Sequence, residues 1–366
     1  MPILPAGHDY RFAITLNLAA LSVTAQSFNV GFFDKDETVD ASGFLEFTDV
    51  ATATTAEAAG NISTIALAFV TAAFAQTPKR PQKVVVMPWD DAGGDAIATA
   101  IDDAIAAEAD FYVFGVSDRL PATNAAVAAK LDTLAGSGTK LVAILQDDDG
   151  DWLTSGKPTA YASLTTGQNE RTAVVYCDTD ATTAAEAVAA KKLCESPDVR
   201  SAPWTGPVQG SVANASSPTT AEIQLAVANN CNVIAPQGTI YTQVNDPGVN
   251  LAGRHLKQIV SADWYEVRLR EALADAKTTL ENKGRYIPVN TDGLEVIKGI
   301  ITEVWLRGVD AGHFARVQPA NPELSGLTID DAASSANATT RTITVEFEIY
   351  ELESLLGTTI TVNLTV

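Results

Sequence analysis

The chain has 366 residues, 46% of them hydrophobic, and a formal net charge of −21. Such a length and apolar content bury a large core and predict two or three subdomains. The charge argues against nucleic acid and anionic membrane as partners, because each needs a basic face to displace counterions, and no window approaches the length of a membrane span.

Taken in order, Phe12, Ile14, Leu16 and Leu18 alternate with Ala13, Thr15 and Asn17. This two-residue period predicts a half-buried strand near the N-terminus, within reach of another copy. The 12–23 stretch lacks a basic start and a continuous apolar run, so it does not read as a secretory leader. Phe28, Val30 and Phe32 repeat the alternation before an acidic turn at 34–37. An Ala-rich helix is predicted over 55–75, with Ile62, Ile65, Phe69 and Phe74 as its bulky residues.

After Pro78 and Pro81 the chain alternates strands (84–87, 111–116, 141–145) with helices (95–109, 124–135). This βαβαβ series implies a mostly parallel sheet covered by helices. A strand at 174–176 and a helix at 182–193 follow. The Gly-, Pro- and Ser-rich passage 196–218 reads as a soft subdomain boundary, ahead of a short helix at 221–228 and strands at 232–235 and 239–244.

The stretch 261–312 reads as helix, bend, helix. Asp263 and Glu266 have capping-box spacing. Tyr265, Leu269, Ala272, Leu273, Ala276 and Leu280 share one face, and Gly284 supplies a left-handed stop. Beyond Pro288, Asp292 and Glu295 repeat the capping pattern, and Leu294, Ile297, Ile300, Ile301, Val304 and Trp305 form a second stripe ending at Gly308. Residues 254–285 hold seven basic side chains against five acidic ones, a local excess in an acidic chain. That contrast suits either pairing along a helix or an acidic partner surface. Residues 332–340 are small and polar, the composition of a loop. Ile343, Val345, Phe347 and Ile349 then face one way. Ile360, Val362, Leu364 and Val366 alternate with Thr359, Thr361, Asn363 and Thr365 in a strand whose edge must find a partner, inside its own chain or outside it.

Chemistry-bearing motifs fail on inspection. In GDWLTSGKP, five residues separate Gly150 from Gly156 where a phosphate loop has four, and Pro158 stands where a magnesium-binding hydroxyl is needed. Asp147 and Asp149 lack the first and last ligands of a calcium loop and read as a solvated acidic turn. His8, His255 and His313 have no metal-ligand spacing. Cys177, Cys194 and Cys231 are too widely spaced for a disulfide framework and fit a reducing cytosol. No cofactor, metal or catalytic residue is assigned, and the chain reads as a non-enzyme. Trp89, Trp204, Trp264 and Trp305 read as packing residues.

Asp263-Trp264, then Arg285-Tyr286-Ile287-Pro288 and Thr291-Asp292-Gly293 before a second helix, resemble the C-terminal core of tail sheath proteins from contractile-tailed bacteriophages. AFAQTPKRPQKVVVMPW, from Ala73 to Trp89, resembles the same family's helix, Pro-rich bend and strand. The likeness runs with gaps from about Phe12 to the end, and departs at Val289-Asn290 and across 147–167. It implies an α/β, α+β overall, fold: a helix-covered mixed sheet, a sheath-type C-terminal subdomain and strand arms at both ends. The corresponding division is 1–27 (arm), 28–200 (α/β subdomain), 201–352 (sheath core) and 353–366 (arm).

The resemblance further implies a structural subunit that stacks as hexameric rings around a tail tube and contracts to drive the tube through a host envelope. Its partners would be other copies of itself, the tube protein, and baseplate and tail terminator proteins, in a virion tail assembled in the host cytoplasm. Phe12, Ile14, Leu16, Leu18, Ile360, Val362, Leu364 and Val366 would form inter-subunit strands, and Arg268, Arg270 and Lys277 would face the tube. Two other readings stand beside it. One is a small-molecule enzyme or binding protein with its ligand at the carboxyl ends of the parallel strands, near Asp90, Asp91 and Ser117. The other is a static shell or fibre.

Overall fold

The structure is a computed structural model. It describes residues 10–17, 28–35, 43–77, 79–136, 139–164, 170–179, 183–193, 196–202, 204–210, 216–237, 241–318, 321–337, 342–350 and 357–365. The chain folds into two compact units. A sheet unit comprises residues 27–196 and 202–259, and a helix-pair unit comprises 1–26, 197–201 and 260–366.

The first elements are β1 (Tyr10–Asn17), β2 (Val30–Asp34), β3 (Leu45–Phe47), α1 (Val50–Ala58), α2 (Thr64–Phe74), β4 (Val84–Pro88), α3 (Ile97–Ala106) and β5 (Val113–Val116). Then come α4 (Pro121–Gly136), β6 (Val142–Asp147), α5 (Asp151–Thr154), β7 (Thr172–Tyr176), α6 (Ala184–Lys192), β8 (Gly206–Pro207) and α7 (Thr220–Ala228). The last are β9 (Asn232–Gln237), β10 (Tyr241–Asp246), α8 (Leu256–Asn282), α9 (Thr291–Asp310), β11 (Val317–Gln318), β12 (Asn321–Ser325), β13 (Leu327–Asn337), β14 (Thr342–Tyr350) and β15 (Gly357–Thr365).

In the sheet unit nine strands run in the order β3-β4-β2-β5-β6-β7-β9-β10-β8. The six from β4 to β9 are parallel, and the antiparallel strands lie at the margins. The βαβαβ expectation holds, with β2 inserted between β4 and β5. That position changes how β2 is buried. The alternation at 28–32 predicts a strand wet on one face, whereas all five residues of β2 are buried, as a strand covered on both faces must be. Gly31 is needed there, since a Cβ would lie 2.8 Å from Met87 Cε and 2.9 Å from Phe111 Cβ.

Asp34 is likewise no solvated turn residue. It ends β2 fully buried, and its carboxylate accepts from the Ser63 hydroxyl at 2.5 Å and the Ser63 amide at 2.8 Å. This contact also explains why the single helix expected over 55–75 is two. Gly60 at φ +76° ends the first, and Ser63 caps α2 by accepting from the Ala66 amide. The acidic residues 36 and 37 lie outside the described residues.

The chain passes from the sheet unit to the helix-pair unit over 197–201 and back at 202. Asn245 donates to the Trp204 carbonyl at 2.7 Å and β8 pairs with β10, so residues 202–259 complete the nine-stranded sheet.

Helix α8 begins at Leu256, so Asp263 and Glu266 are mid-helix and form no cap. Leu256, Ile259 and Val260 are buried and carry the apolar stripe upstream of the expected start. Gly284 does stop the helix, at φ +67°. The cap of α9 is Asn290, whose side chain accepts from the Gly293 amide at 3.1 Å, and Asp292 sits in the first turn, where the helix dipole favours an acid. Ile297, Ile301, Val304, Trp305 and Gly308 are its buried face.

The four-stranded sheet of the helix-pair unit has the order β1-β15-β14-β13. The loop expected at 332–340 is largely strand: Ser335, Ala336 and Asn337 pair with Thr344, Ile343 and Thr342 beyond a register shift. Ser334 smooths the irregularity, donating to the Asp330 carbonyl at 2.6 Å and accepting from the Glu346 amide. Pairing with β14 overrides weak local propensity. Residues 338–340 lie outside the described residues.

A Cβ on Gly293 would stand 1.7 Å from the Pro288 carbonyl oxygen. Gly293→Ala is therefore expected to destabilise the protein by about 2 kcal/mol through forced repacking, read as a lower urea midpoint with unchanged slope. An unchanged midpoint would show that the α8–α9 turn is not closely packed.

Candidate functional site

Two places qualify as a site: the carboxyl edge of the parallel sheet, and the sheet that holds the chain ends.

At the carboxyl edge the polar groups bind one another. Lys35 Nζ lies 2.9 Å from both Asp91 Oδ2 and Asp118 Oδ2 and 5.0 Å from the centre of the Trp89 ring. Its hydrogen bonds to the two aspartates raise its pKa. The Lys35 amide donates to Ser117 Oγ at 2.7 Å, and Asp90 accepts from the Gly93 amide at 2.6 Å. All three candidate ligand residues of the small-molecule reading thus have partners within the chain.

Asp147, expected in a solvated turn, is fully buried. It accepts from the Tyr161 hydroxyl at 2.5 Å and from the Asp149 amide at 2.9 Å. Burial raises the Asp147 carboxyl against those hydrogen bonds, and burial together with Asp147 pushes the Tyr161 phenol well up. Within the GDWLT segment, Asp151–Thr154 form α5 around the buried Trp152.

One buried pair is incompletely bonded. Arg119 Nη2 lies 3.5 Å from Glu186 Oε1, with both side chains almost wholly buried. Among the described residues, Arg119 Nε and Nη1 and both Glu186 carboxylate oxygens have no hydrogen-bond partner. Burial raises the Glu186 carboxyl, and the neighbouring guanidinium only partly offsets it. No local pattern announces this pair, because its members are 67 residues apart and meet only when α6 packs beside Gly115.

His313 is a buried core residue. Its Nε2 sits 2.7 Å from the Pro197 carbonyl, which can only accept, so Nε2 donates and Nδ1 receives the Ser261 hydroxyl at 2.8 Å. The ring stacks on Trp264 with centroids 4.6 Å apart. Cys177 and Cys231 are buried and form no disulfide among the described residues, and Cys194 lies outside the described residues. Among the described residues no cluster of three or more potential ligands could hold a metal, and no helix is long and apolar enough to cross a membrane.

The second place is built differently. β14 presents Ile343, Val345, Phe347 and Ile349 as a fully buried row, as the alternation predicts. Phe347 meets the Tyr265 ring at 5.9 Å, and Tyr265 donates to the Ile301 carbonyl, tying β14 to both α8 and α9. On its other side β14 pairs antiparallel with β15: Ile343 stands opposite Leu364, Val345 opposite Val362 and Phe347 opposite Ile360. β15 then pairs in parallel with β1, setting Phe12 opposite Ile360, Ile14 opposite Val362 and Leu16 opposite Leu364. Leu18 and Val366 lie outside the described residues. Half of this sheet comes from the two ends of the chain. By contrast, the outer strands of the nine-stranded sheet, β3 and β8, are only three and two residues long, too short to recruit another strand.

The three cations expected to face a tube are engaged at home. Arg268 forks onto Asp198 at 2.6 and 2.7 Å and reaches Glu271 at 2.6 Å; Arg270 meets Glu266 at 2.5 Å; Lys277 lies 3.9 Å from Glu281.

No family model matches the sequence, and no curated protein matches it by sequence. Solved structures do share its fold. The sheath tail protein of Listeria innocua superposes with a TM-score of 0.60 at 10% identity, covering 95% of this chain and 97% of that one. A chain of the anti-feeding prophage baseplate gives 0.64 at 11% identity, covering 97% and 96%. The contracted helical sheath of the anti-feeding prophage gives 0.58 at 12% identity, with 96% of each chain covered. The chain has the tail-sheath fold.

The raised Glu186 carboxyl has a pH signature. An acid whose folded pKa lies above its unfolded value contributes stability that is complete below the ordinary 4.5 and lost as pH rises through the folded value. The stability difference between wild type and Glu186→Gln is therefore expected to favour wild type more at about pH 4 than at about pH 7, measured by denaturant unfolding at both. A difference independent of pH would contradict the burial of an ionised carboxylate.

Proposed function

We propose that the chain is the subunit of a contractile sheath that polymerises as stacked rings around an inner tube and shortens to drive that tube forward. The observation carrying the proposal is the terminal-strand sheet: β14 is fixed in the body by its buried row, while the strands that complete its ladder belong to the chain ends. The shared fold with the anti-feeding prophage sheath supports it.

The same ladder is satisfied whether β15 comes from its own chain or from a neighbour, because backbone register does not identify the donor. Six residues, 351–356, separate β14 from β15, and fully extended they reach about 20 Å. Exchange of an identical strand is a low-cost route to assembly. About five main-chain hydrogen bonds at ~1 kcal/mol each give on the order of 5 kcal/mol per contact before ordering costs. Phe12, Ile14, Leu16, Ile360, Val362 and Leu364 are the strand residues that would cross between copies. Repeated through a lattice, such joints hold subunits together while weaker body contacts change.

The role is mechanical. The energy for shortening lies in a metastable packing of bodies, and the polar carboxyl edge serves to rigidify the sheet. The partners on this reading are other copies of the chain, a tube protein, and baseplate and terminator proteins. Six-fold rings fit the six-fold symmetrised baseplate among its structural relatives. The setting is the tail of a virion or a related particle, assembled in the host cytoplasm.

Deletion of residues 359–366 is expected to leave a folded protein, by circular dichroism, that sediments as a monomer and forms no tubes in negative stain. Tubes of normal appearance from the truncated chain would refute strand donation.

A further inference from the structure

Most basic residues between 254 and 285 are paired within the chain. Arg254 lies 3.2 Å from Glu170, Arg268, Arg270 and Lys277 have the partners given above, and Lys257 is buried. Lys283 and Arg285 differ: both are exposed, and neither has an ion-pair partner among the described residues. They flank Gly284, whose φ of +67° turns the chain outward after α8. The next residue, Tyr286, is 77% exposed, more than the other large hydrophobic side chains in view. Cations after a helix C-terminus complement its dipole, which accounts for the two charges and leaves the bare ring unexplained. Tyrosine and arginine together are the composition of an interface anchor.

The same sequence carries a surface of opposite character. A cavity of about 270 Å³ in the sheet unit has an apolar floor that includes Phe44, Met87 and Ala104, and Asp90, Asp95 and Asp103 line it. All three carboxylates are exposed, and none has a basic partner among the described residues. Their neighbours Asp91 and Asp102 are by contrast neutralised by Lys35 and Lys130 at 2.9 and 2.6 Å. The overall charge of −21 makes a second copy an acidic partner for the basic corner.

We propose that Tyr286 of one copy seats in this cavity on a second copy, with Lys283 and Arg285 against its aspartates. The ring covers the apolar floor, and the two cations meet carboxylates that have no basic partner among the described residues. The two surfaces differ, so the contact is heterologous, building a ring where its rotation closes and a helical array where it does not. Being largely electrostatic at its rim, it weakens with salt. It rests on the polymer reading above and adds a body contact to the strand joint.

The test is a concentration series of the full chain followed by sedimentation and negative stain. Lys283→Glu/Arg285→Glu is expected to raise the concentration needed for assembly at least tenfold. Adding Asp95→Lys/Asp103→Lys to the same chain is expected to restore it. An unchanged threshold in the first variant, or no recovery in the second, overturns the contact while leaving the sheath reading intact. A wild-type chain that forms no tubes overturns the sheath reading instead. The contact is then read from the self-association constant in the same sedimentation data, at least tenfold weaker in the first variant if correct and unchanged if wrong.

Discussion

The hydrogen-bonding edge of β14 is the constraint on which the assembly reading depends. Its buried row of Ile343, Val345, Phe347 and Ile349 locks the strand against the helix pair, and an exposed backbone edge beside such a row is costly because its amides and carbonyls lack partners. β15 meets that demand over nine residue pairs and transfers it to β1. The demand is for backbone with a given register.

The two sheets divide the labour by how their edges and faces are finished. The nine-stranded sheet ends in strands of three and two residues, and its carboxyl edge is knitted by Lys35, the Ser63–Asp34 cap and the Tyr161–Asp147 bond. Such a body resists recruitment and deformation alike. The four-stranded sheet is long-edged and made half of chain ends.

The carboxyl edge of an open parallel sheet is where such folds bind small molecules. Here Asp91 and Ser117 are engaged by Lys35, and Asp147 is sealed beneath Tyr161. The chemistry-bearing residue types are present, and their neighbours convert them to structural use. Spacing alone therefore does not reveal that Asp147 is buried, and the Arg119–Glu186 pair leaves no trace in the sequence.

By itself, the sequence determined the elements whose signal is local: the βαβαβ run, the Gly284 stop, the one-faced row of β14 and the alternating strands at both ends, since side-chain period and backbone freedom are written residue by residue. The relation of distant segments was decided by tertiary structure. Only pairing with β14 makes a strand of 335–337, only the central position of β2 buries both its faces, and only the packing of Leu256 and Ile259 moves the start of α8 away from Asp263. Each outcome turns on what lies across a sheet or beneath a helix, and burial and backbone pairing between remote residues carry more free energy than the local preferences they override.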